Sequence, residues 1–399
     1  MPVRQLISQL ALAVLAGIWL CGFAAQSRAA DQKPVDDLDF GPPVIIEAPT
    51  LPPPEKINLS NQALATPAAG FFPILPFGAA EDLPPQLLPV ATNHPLDSDH
   101  GKITRAVIVI HDLSRDAIGT AGMLTTLAGP HNQDTLIIAP QFLLESDIAR
   151  FAEHLPNKGH DLTRWAWSSW ADGGESTAWA PRKGISSFTA IDLLLVYLGD
   201  KKYFPDLKDI IITGYGAGGD FVQRYAAVGQ ALELLDPQIT PVRFVAANPS
   251  SYLYFTPMRP NAGHPGFALP DKNKCPGYDD YKYGLDKLNP YARRLGANAI
   301  RLSYASRHIF YLIGEKAGME DYFPDSSCAA SLQGVDRVAR ARNYDDYLTT
   351  IFGEDVGKTQ TFSIQPKAGD DPTALFSSGC GMSAVFGDGE CAEFSTPTP

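Results

Sequence analysis

The chain has 399 residues, of which 45% are hydrophobic and 19% charged, and its formal net charge is −12 with a pI near 5.1. This acidic balance argues against nucleic acid or an anionic membrane surface as the main partner, because both would repel the protein. The length is sufficient for one large α/β domain with additional segments.

The first 30 residues have the pattern of a secretory signal peptide. Arg4 precedes an apolar run over residues 10–25, and the small residues Ser27 and Ala29 provide a site for a signal peptidase. The run is too short, and too closely followed by polar residues, to favour a membrane-spanning anchor. We therefore expect a periplasmic or secreted protein whose mature form has no membrane span.

Residues 31–100 are crowded with proline and show no sustained period of 2 or 3.6 residues. Proline cannot donate a backbone hydrogen bond, so such a segment does not readily form helices or strands. The sequence predicts a largely disordered linker here, before a single domain over residues 101–399. The prolines include Pro42, Pro43, Pro52, Pro53, Pro54, Pro84 and Pro85.

Short, continuous apolar segments begin after Arg105 and alternate with helical patterns. Five of them are rich in valine and isoleucine, as strands covered on both faces are: residues 106–111, 135–139, 209–213, 243–247 and 308–313. Apolar residues recur at helical spacing over residues 185–198 and 221–235. This alternation predicts an α/β fold with a mostly parallel central sheet flanked by helices, and an irregular excursion near residues 252–300.

The third of these strands leads into a sharp glycine turn and the start of a helix. The sequence there is Asp209-Ile-Ile-Ile-Thr-Gly214-Tyr215-Gly216-Ala217-Gly218. It resembles the nucleophile elbow, G-x-S-x-G, of the α/β-hydrolase family. Gly214 and Gly218 match the glycines of that motif, but Gly216 stands where the family carries its serine. Glycine has no side chain that could attack a carbonyl carbon.

The resemblance extends from about residue 105 to residue 386 and is to the secreted serine esterases and lipases of this family. It implies an α/β-hydrolase fold for most of the mature domain. It rests on the elbow, on the segments 185–188, 248–252, 275–278 and 328–330, and on His111, Arg115, Trp165, Gly173, Gly174 and Ser176.

The same resemblance locates the other two members of the catalytic triad. Similar hydrolases carry the acid after the strand over residues 308–313, where this chain has Ala317, and they carry the histidine in a turn that here contains Asp370. Independently, no histidine follows His308, so the order nucleophile, acid, histidine cannot be completed. We therefore expect all three triad positions, Gly216, Ala317 and Asp370, to be substituted.

Four cysteines remain after the predicted signal peptide, and an even number in an exported chain favours two disulfides. A four-thiolate zinc site would usually contain a C-x-x-C pair, and the chain has none. We expect Cys275 to pair with Cys328 and Cys380 with Cys391, and we expect neither a metal ion nor a cofactor.

The anion-binding half of the hydrolase site is expected to persist. The backbone amide of Ala217 at the helix start, and the amides of the loop after His111, would face the former oxyanion position. We predict a ligand site formed by His111, Asp112, Leu113, Tyr215 and Ala217 that binds a small anion or an ester.

These features favour a non-catalytic hydrolase relative of the cell envelope that binds such a ligand or an exported protein partner. The first alternative is an active hydrolase with relocated groups, either His111 with one of several serines or an aspartate pair. Those serines are Ser168, Ser169, Ser186 and Ser187, and the aspartates are Asp370 and Asp371. The second alternative, dinucleotide binding at residues 214–219, is disfavoured because the next strand ends in Asn248 and Pro249 rather than in an acidic residue.

Overall fold

The structure is a computed structural model, and it describes residues 64, 66–74, 86–98, 100–178, 183–235, 240–261, 264–316, 325–366 and 368–391. The predicted signal peptide, most of the predicted linker and Ala317 lie outside these residues. No helix in the described part of the chain is long and apolar enough to cross a membrane.

Eight strands form the central sheet, and two short strands form a separate hairpin. The strands are β1 (Gly70–Ile74), β2 (Gln86–Thr92), β3 (Arg105–Ile110), β4 (Thr135–Pro140), β5 (Asp209–Tyr215), β6 (Val242–Ala247), the hairpin strands β7 (Arg259–Pro260) and β8 (Phe267–Ala268), β9 (His308–Gly314) and β10 (Gln360–Gln365). The order across the sheet is β1-β2-β4-β3-β5-β6-β9-β10.

The sheet is mostly parallel, as predicted. Strand β2 pairs antiparallel with both β1 and β4. The other five pairs are parallel, namely β4–β3, β3–β5, β5–β6, β6–β9 and β9–β10. All six residues of β4 are buried, and so are five of the six in β3. Continuous burial explains why these strands read as uninterrupted apolar runs in the sequence.

Helices cover both faces of the sheet. They are α1 (Ala117–Ala128), α2 (Glu145–Phe151), α3 (Ser187–Gly199), α4 (Ala217–Val228), α5 (Ala297–Tyr304), α6 (Cys328–Ser331), α7 (Arg337–Phe352), α8 (Pro372–Phe376) and α9 (Gly379–Phe386). Helices α1, α8 and α9 pack with Val107 and Val109 on one face, and α3, α4, α5 and α7 pack with Ile108 and Ile110 on the other. The alternation along β3 therefore divides the core into two layers.

The predicted linker contributes two strands to this sheet, so the prediction was wrong for residues 70–74 and 86–92. Strand β1 buries Phe72 and Ile74, and β2 buries Leu88 and Val90. Each of these strands contains one proline, Pro73 in β1 and Pro89 in β2. Both are compatible with pairing, because β1 lies at the edge of the sheet and β2 pairs with β4 only from Val90 onward.

Both expected disulfides, Cys275–Cys328 and Cys380–Cys391, are present. The first links the excursion after β6 to α6, and the second links α9 to the end of the described chain. The excursion itself consists mainly of turns around the β7–β8 hairpin, in agreement with the irregular structure predicted near residues 252–300.

Candidate functional site

The turn between β5 and α4 keeps the backbone geometry of a nucleophile elbow. Gly216 has φ 57° and ψ −118°, a conformation that side-chain-bearing residues adopt only under strain. Its amide donates to the Ala247 oxygen at 3.0 Å, and α4 begins at the next residue. Close contact is also retained at Gly218, where a Cβ atom would lie 2.2 Å from the Ile110 oxygen. The turn after β5 therefore carries a glycine at its strained position.

The carboxylate of Asp112 occupies the space beside this turn. A Cβ atom built on Gly216 would lie 2.5 Å from Asp112 Oδ1, and that oxygen accepts a hydrogen bond from the Ala217 amide at 2.8 Å. Burial raises the pKa of Asp112, although the backbone amides of Ala217 and Leu113 act in the opposite direction. The Ala217 amide, which was expected to bind an external anion, thus binds a side chain of the protein itself.

His111 fixes the start of the loop that carries Asp112. Its side chain is completely buried, with Nδ1 donating to the Asp112 carbonyl oxygen at 2.8 Å and Nε2 accepting from the Phe142 amide at 3.0 Å. Burial lowers the pKa of His111 to about 4, so the ring is neutral at pH 7. With both ring nitrogens engaged in this way, the side chain is placed to support the loop rather than to contact a ligand.

Arg115 fixes the other end of this loop. It has a positive φ of 58° and forms a buried ion pair with Asp147, whose two carboxylate oxygens lie 2.7 and 3.0 Å from the guanidinium nitrogens. Its Nη1 atom also donates to the Leu113 oxygen, and its own carbonyl accepts from Gln141. Residues 111–115 are consequently held from both ends, and the position of Asp112 is determined without any ligand.

Asp370 occupies the predicted histidine position and accepts a hydrogen bond from the Tyr215 hydroxyl. Burial is the main cause that raises the pKa of Tyr215 well above its ordinary range, and this hydrogen bond acts in the same direction. The phenol therefore stays protonated at neutral pH and acts as a donor to the carboxylate.

Asn248 connects the two loops on which similar hydrolases carry the acid and the histidine. It has a positive φ of 43°, accepts from the Gly314 amide at 2.8 Å and donates to the Gly369 oxygen at 3.2 Å. The buried guanidinium of Arg337 donates to its carbonyl oxygen. The structural roles of both residues were not predicted from the sequence. The one available signal was an asparagine directly before proline at the end of β6.

A cavity of about 680 Å³ opens between α1, Tyr215 and the Asp370 turn. Three carboxylates line it, those of Asp112, Asp116 and Asp370, together with apolar groups of Met123 and Phe376. Asp116 also caps α1 by accepting from the Gly119 amide at 2.8 Å. Of the residues predicted to bind a ligand, Asp112 and Tyr215 line this cavity, whereas His111 is turned into the protein.

Three of the four serines considered for relocated catalysis donate hydrogen bonds to the backbone. The hydroxyl groups of Ser169, Ser186 and Ser187 donate to backbone oxygens at 2.7 Å, and His111 is committed to other partners. Within the described residues, no group of three or more histidine, cysteine, aspartate or glutamate side chains is placed to hold a metal ion.

No family model and no curated protein sequence matches this chain. Among solved structures, it is similar to the poly(3-hydroxybutyrate) depolymerase LpqC from Bordetella parapertussis, with 19% identity, a TM-score of 0.50 and coverage of 77% of this chain and 88% of that one. The chain has the α/β-hydrolase fold. A second similar structure is poly(aspartic acid) hydrolase-1 from Sphingomonas sp. KT-1, with 18% identity, a TM-score of 0.48 and coverage of 77% and 96%.

In the family that the sequence resembles, the turn after β5 is the position expected for the nucleophile. In this chain that position is Gly216. The glycines at residues 214–219 are thereby accounted for by the tight packing of an elbow, and β6 ends at Ala247 without the acidic residue that dinucleotide binding requires.

Proposed function

We propose that this protein is a non-catalytic α/β-hydrolase homologue of the cell envelope that acts by binding. The observation that carries the proposal is the position of the Asp112 carboxylate, which takes the space of a nucleophile side chain at Gly216 and the amide of Ala217. An ester carbonyl would find neither a nucleophile nor a free pair of oxyanion donors there. Asp370 at the position expected for the histidine further supports the proposal, because the triad chemistry of similar hydrolases uses an imidazole, and this carboxylate accepts a hydrogen bond from Tyr215.

Two disulfides are typical of proteins from an oxidising compartment. Together with the signal-peptide pattern of the first 30 residues, they support action in the periplasm or outside the cell. We propose that the partner there is a small molecule bound in the cavity at the carboxyl edge of the sheet or an exported protein.

A second candidate function is hydrolysis by a carboxylate pair. The observation that favours it is that Asp112 and Asp370 line one cavity and interact electrostatically, so that Asp370 contributes to the raised pKa of Asp112. Two carboxyl groups that face one cavity can act as a general acid and a general base.

The test is labelling of the full chain with a fluorophosphonate probe, together with turnover of short-chain aryl esters, against an active serine hydrolase as positive control. We expect no covalent labelling and no turnover above that of buffer. Ester turnover that disappears in both Asp112→Asn and Asp370→Asn would establish the carboxylate-pair hydrolase instead. Probe labelling of the wild-type chain would refute both candidates, because it requires an activated nucleophile.

A further inference from the structure

Strand β2 turns the backbone groups of Leu87 and Pro89 away from β1. The Leu87 amide donates to the Asp161 oxygen at 2.8 Å. The Pro89 carbonyl accepts from the Gln141 amide, also at 2.8 Å. Successive residues of a strand direct their amide and carbonyl groups to opposite sides, so Leu88, between these two residues, directs its own groups toward β1.

The outward-facing residues of β1 are therefore Phe71 and Pro73. The register places Phe72 opposite Leu88, so Phe72 exchanges hydrogen bonds with β2 and its two neighbours face away from the sheet. Within the part of the chain that the structure describes, neither neighbour hydrogen-bonds to a segment on that side. The free edge thus offers the amide and carbonyl of Phe71 and the carbonyl of Pro73, which lacks an amide hydrogen.

A groove of about 310 Å³ lies along this edge strand, and four of the five residues of β1 line it. Its other walls include Leu96 and Tyr197, and Asp97 contributes a carboxylate. An edge strand with unpaired backbone groups is a template for a further strand, and a groove beside it accepts alternate side chains of that strand. The edge and the groove together fit a short extended segment with an apolar side chain.

The described part of the chain begins next to this edge. Leu64 is completely buried in a cluster against which Phe71 and Leu87 pack, so the preceding residues enter the domain beside β1. The proline-rich segment that already supplies β1 and β2 also contains the run Val-Ile-Ile-Glu-Ala at residues 44–48, between Pro43 and Pro49. This run has the length of β1 and begins with three β-branched residues.

The connection between this run and Leu64 is long enough to reach the edge. Residues 49–63 can span up to about 50 Å when extended. A tether of this length also gives the run an effective concentration on the order of millimolar at the edge, which a separate chain reaches only at high protein concentration. The chain's own segment is therefore favoured over a second copy or a partner.

We propose that residues 44–48 add to β1 as a further antiparallel strand, with Ile46 opposite Phe71. Ile46 then exchanges two hydrogen bonds with Phe71, and the Val44 amide donates to the Pro73 carbonyl, so that every outward-facing group is used. Ile45 directs its side chain to the face of Phe72 and enters the groove. This inference goes beyond the proposed function and does not rest on it.

The test is amide hydrogen exchange of the full chain, followed at Phe71, with the amides of β5 as an internal reference for the folded core. Ile46→Pro removes the donor to the Phe71 carbonyl and disrupts the added strand. We expect it to accelerate exchange at Phe71 by about 10-fold or more and to leave β5 unchanged. Ile57→Pro is the matched control, because it makes the same change in the same segment but outside the run, and Phe71 should stay protected.

A second variant keeps all backbone donors. Ile45→Asp places a charge in the groove beside Asp97 and should also accelerate exchange at Phe71, whereas Ile45→Leu should not. This pair decides the question if Ile46→Pro does not fold.

An unprotected Phe71 amide in the wild type would overturn the proposal and is the result expected if the edge binds a strand of another exported protein. Equal exchange at Phe71 in the wild type and in the folded Ile46→Pro and Ile45→Asp variants would also overturn it. So would equal acceleration by Ile46→Pro and Ile57→Pro. Protection that falls on dilution, together with a dimer mass in sedimentation, would assign the edge to a second copy of the chain instead. None of these outcomes depends on ester turnover or probe labelling.

Discussion

A serine at position 216 and an aspartate at position 112 would compete for the same space. The turn at Gly216 is itself strained for any residue with a side chain, and a Cβ atom there would lie 2.5 Å from Asp112 Oδ1. A side chain at position 216 and the Asp112 carboxylate therefore cannot both occupy this space. Introducing a serine alone at position 216 would produce a clash with Asp112.

We expect Gly216→Ser to lower the free energy of unfolding by about 1–3 kcal/mol, through the clash and the strained backbone, and to leave the protein unlabelled by a fluorophosphonate. Adding Asp112→Gly should recover a large part of that loss, because it removes the clashing carboxylate. Urea denaturation of the two single variants and the double variant measures this coupling.

Gly122→Ser in α1 is the control for this experiment, because a Cβ atom there meets nothing within 4 Å. Strictly additive effects of Gly216→Ser and Asp112→Gly would contradict the coupling.

At the scale of an element, the loop after β3 is organised by side chains that contact distant parts of the chain. His111 binds Phe142 and Arg115 binds Asp147, both about 30 residues further along. The position of His111 at the end of a strand led to the prediction that it belongs to a ligand site. Its complete burial instead makes it a support for the Asp112 carboxylate.

The buried ring of His111 predicts a pH dependence of stability. Its pKa is about 4 in the folded chain, below the ordinary value of 6.5, so only the unfolded chain takes up a proton between these values. The contribution of the neutral His111 ring to the free energy of unfolding is present in full above pH 6.5. It falls as the pH drops through this window and is lost near pH 4. Its size is about 3 kcal/mol.

Urea denaturation of the wild type and of His111→Asn from pH 7.5 to 4 measures this pH-dependent contribution of His111 to stability. The variant is expected to be less stable at pH 7 but to lose less stability on acidification. Parallel pH profiles of the two proteins would show that the folded ring is protonated at the same pH as the unfolded one.

For the whole molecule, the sheet extends further toward the N-terminus than composition indicated. Strand β1 pairs with β2, and β2 pairs with β4. The two strands place Phe72, Ile74 and Leu88 in the main core. The density of prolines indicated a detached linker, because the sequence alone does not show which strands β1 and β2 pair with. An edge position accommodates a residue that lacks an amide hydrogen, since no donor is needed on the solvent side.

We expect Phe72→Ala to destabilise the protein by about 3–5 kcal/mol, because the ring is fully buried against the core. Phe71→Ala, on the opposite face of the same strand and only partly buried, should cost less. Thermal and urea unfolding of the two variants provide the comparison. Equal and negligible effects would mean that residues 70–74 do not belong to the folded domain in solution.

Much of the fold was predictable because its signals are local. Buried parallel strands require continuous apolar runs, such as that of β4, and the elbow requires glycines where strand and helix approach closely, as at Gly218. The roles of Asn248 and Arg337 were not predictable in this way. Asn248 joins the Gly314 and Gly369 loops, which are separated from it by more than 60 residues of sequence.

The sequence by itself determined the α/β class, the glycine at position 216 and the even number of cysteines after the predicted signal peptide, because each depends on residue identity or on periodicity along the chain. Only the tertiary structure decided which cysteines are joined and what occupies the space beside Gly216. The path of the Asp112 side chain depends on His111 and Arg115 being anchored by residues of other segments. Hydrogen bonds and burial of this kind arise from contacts in space, and no local pattern of residues encodes them.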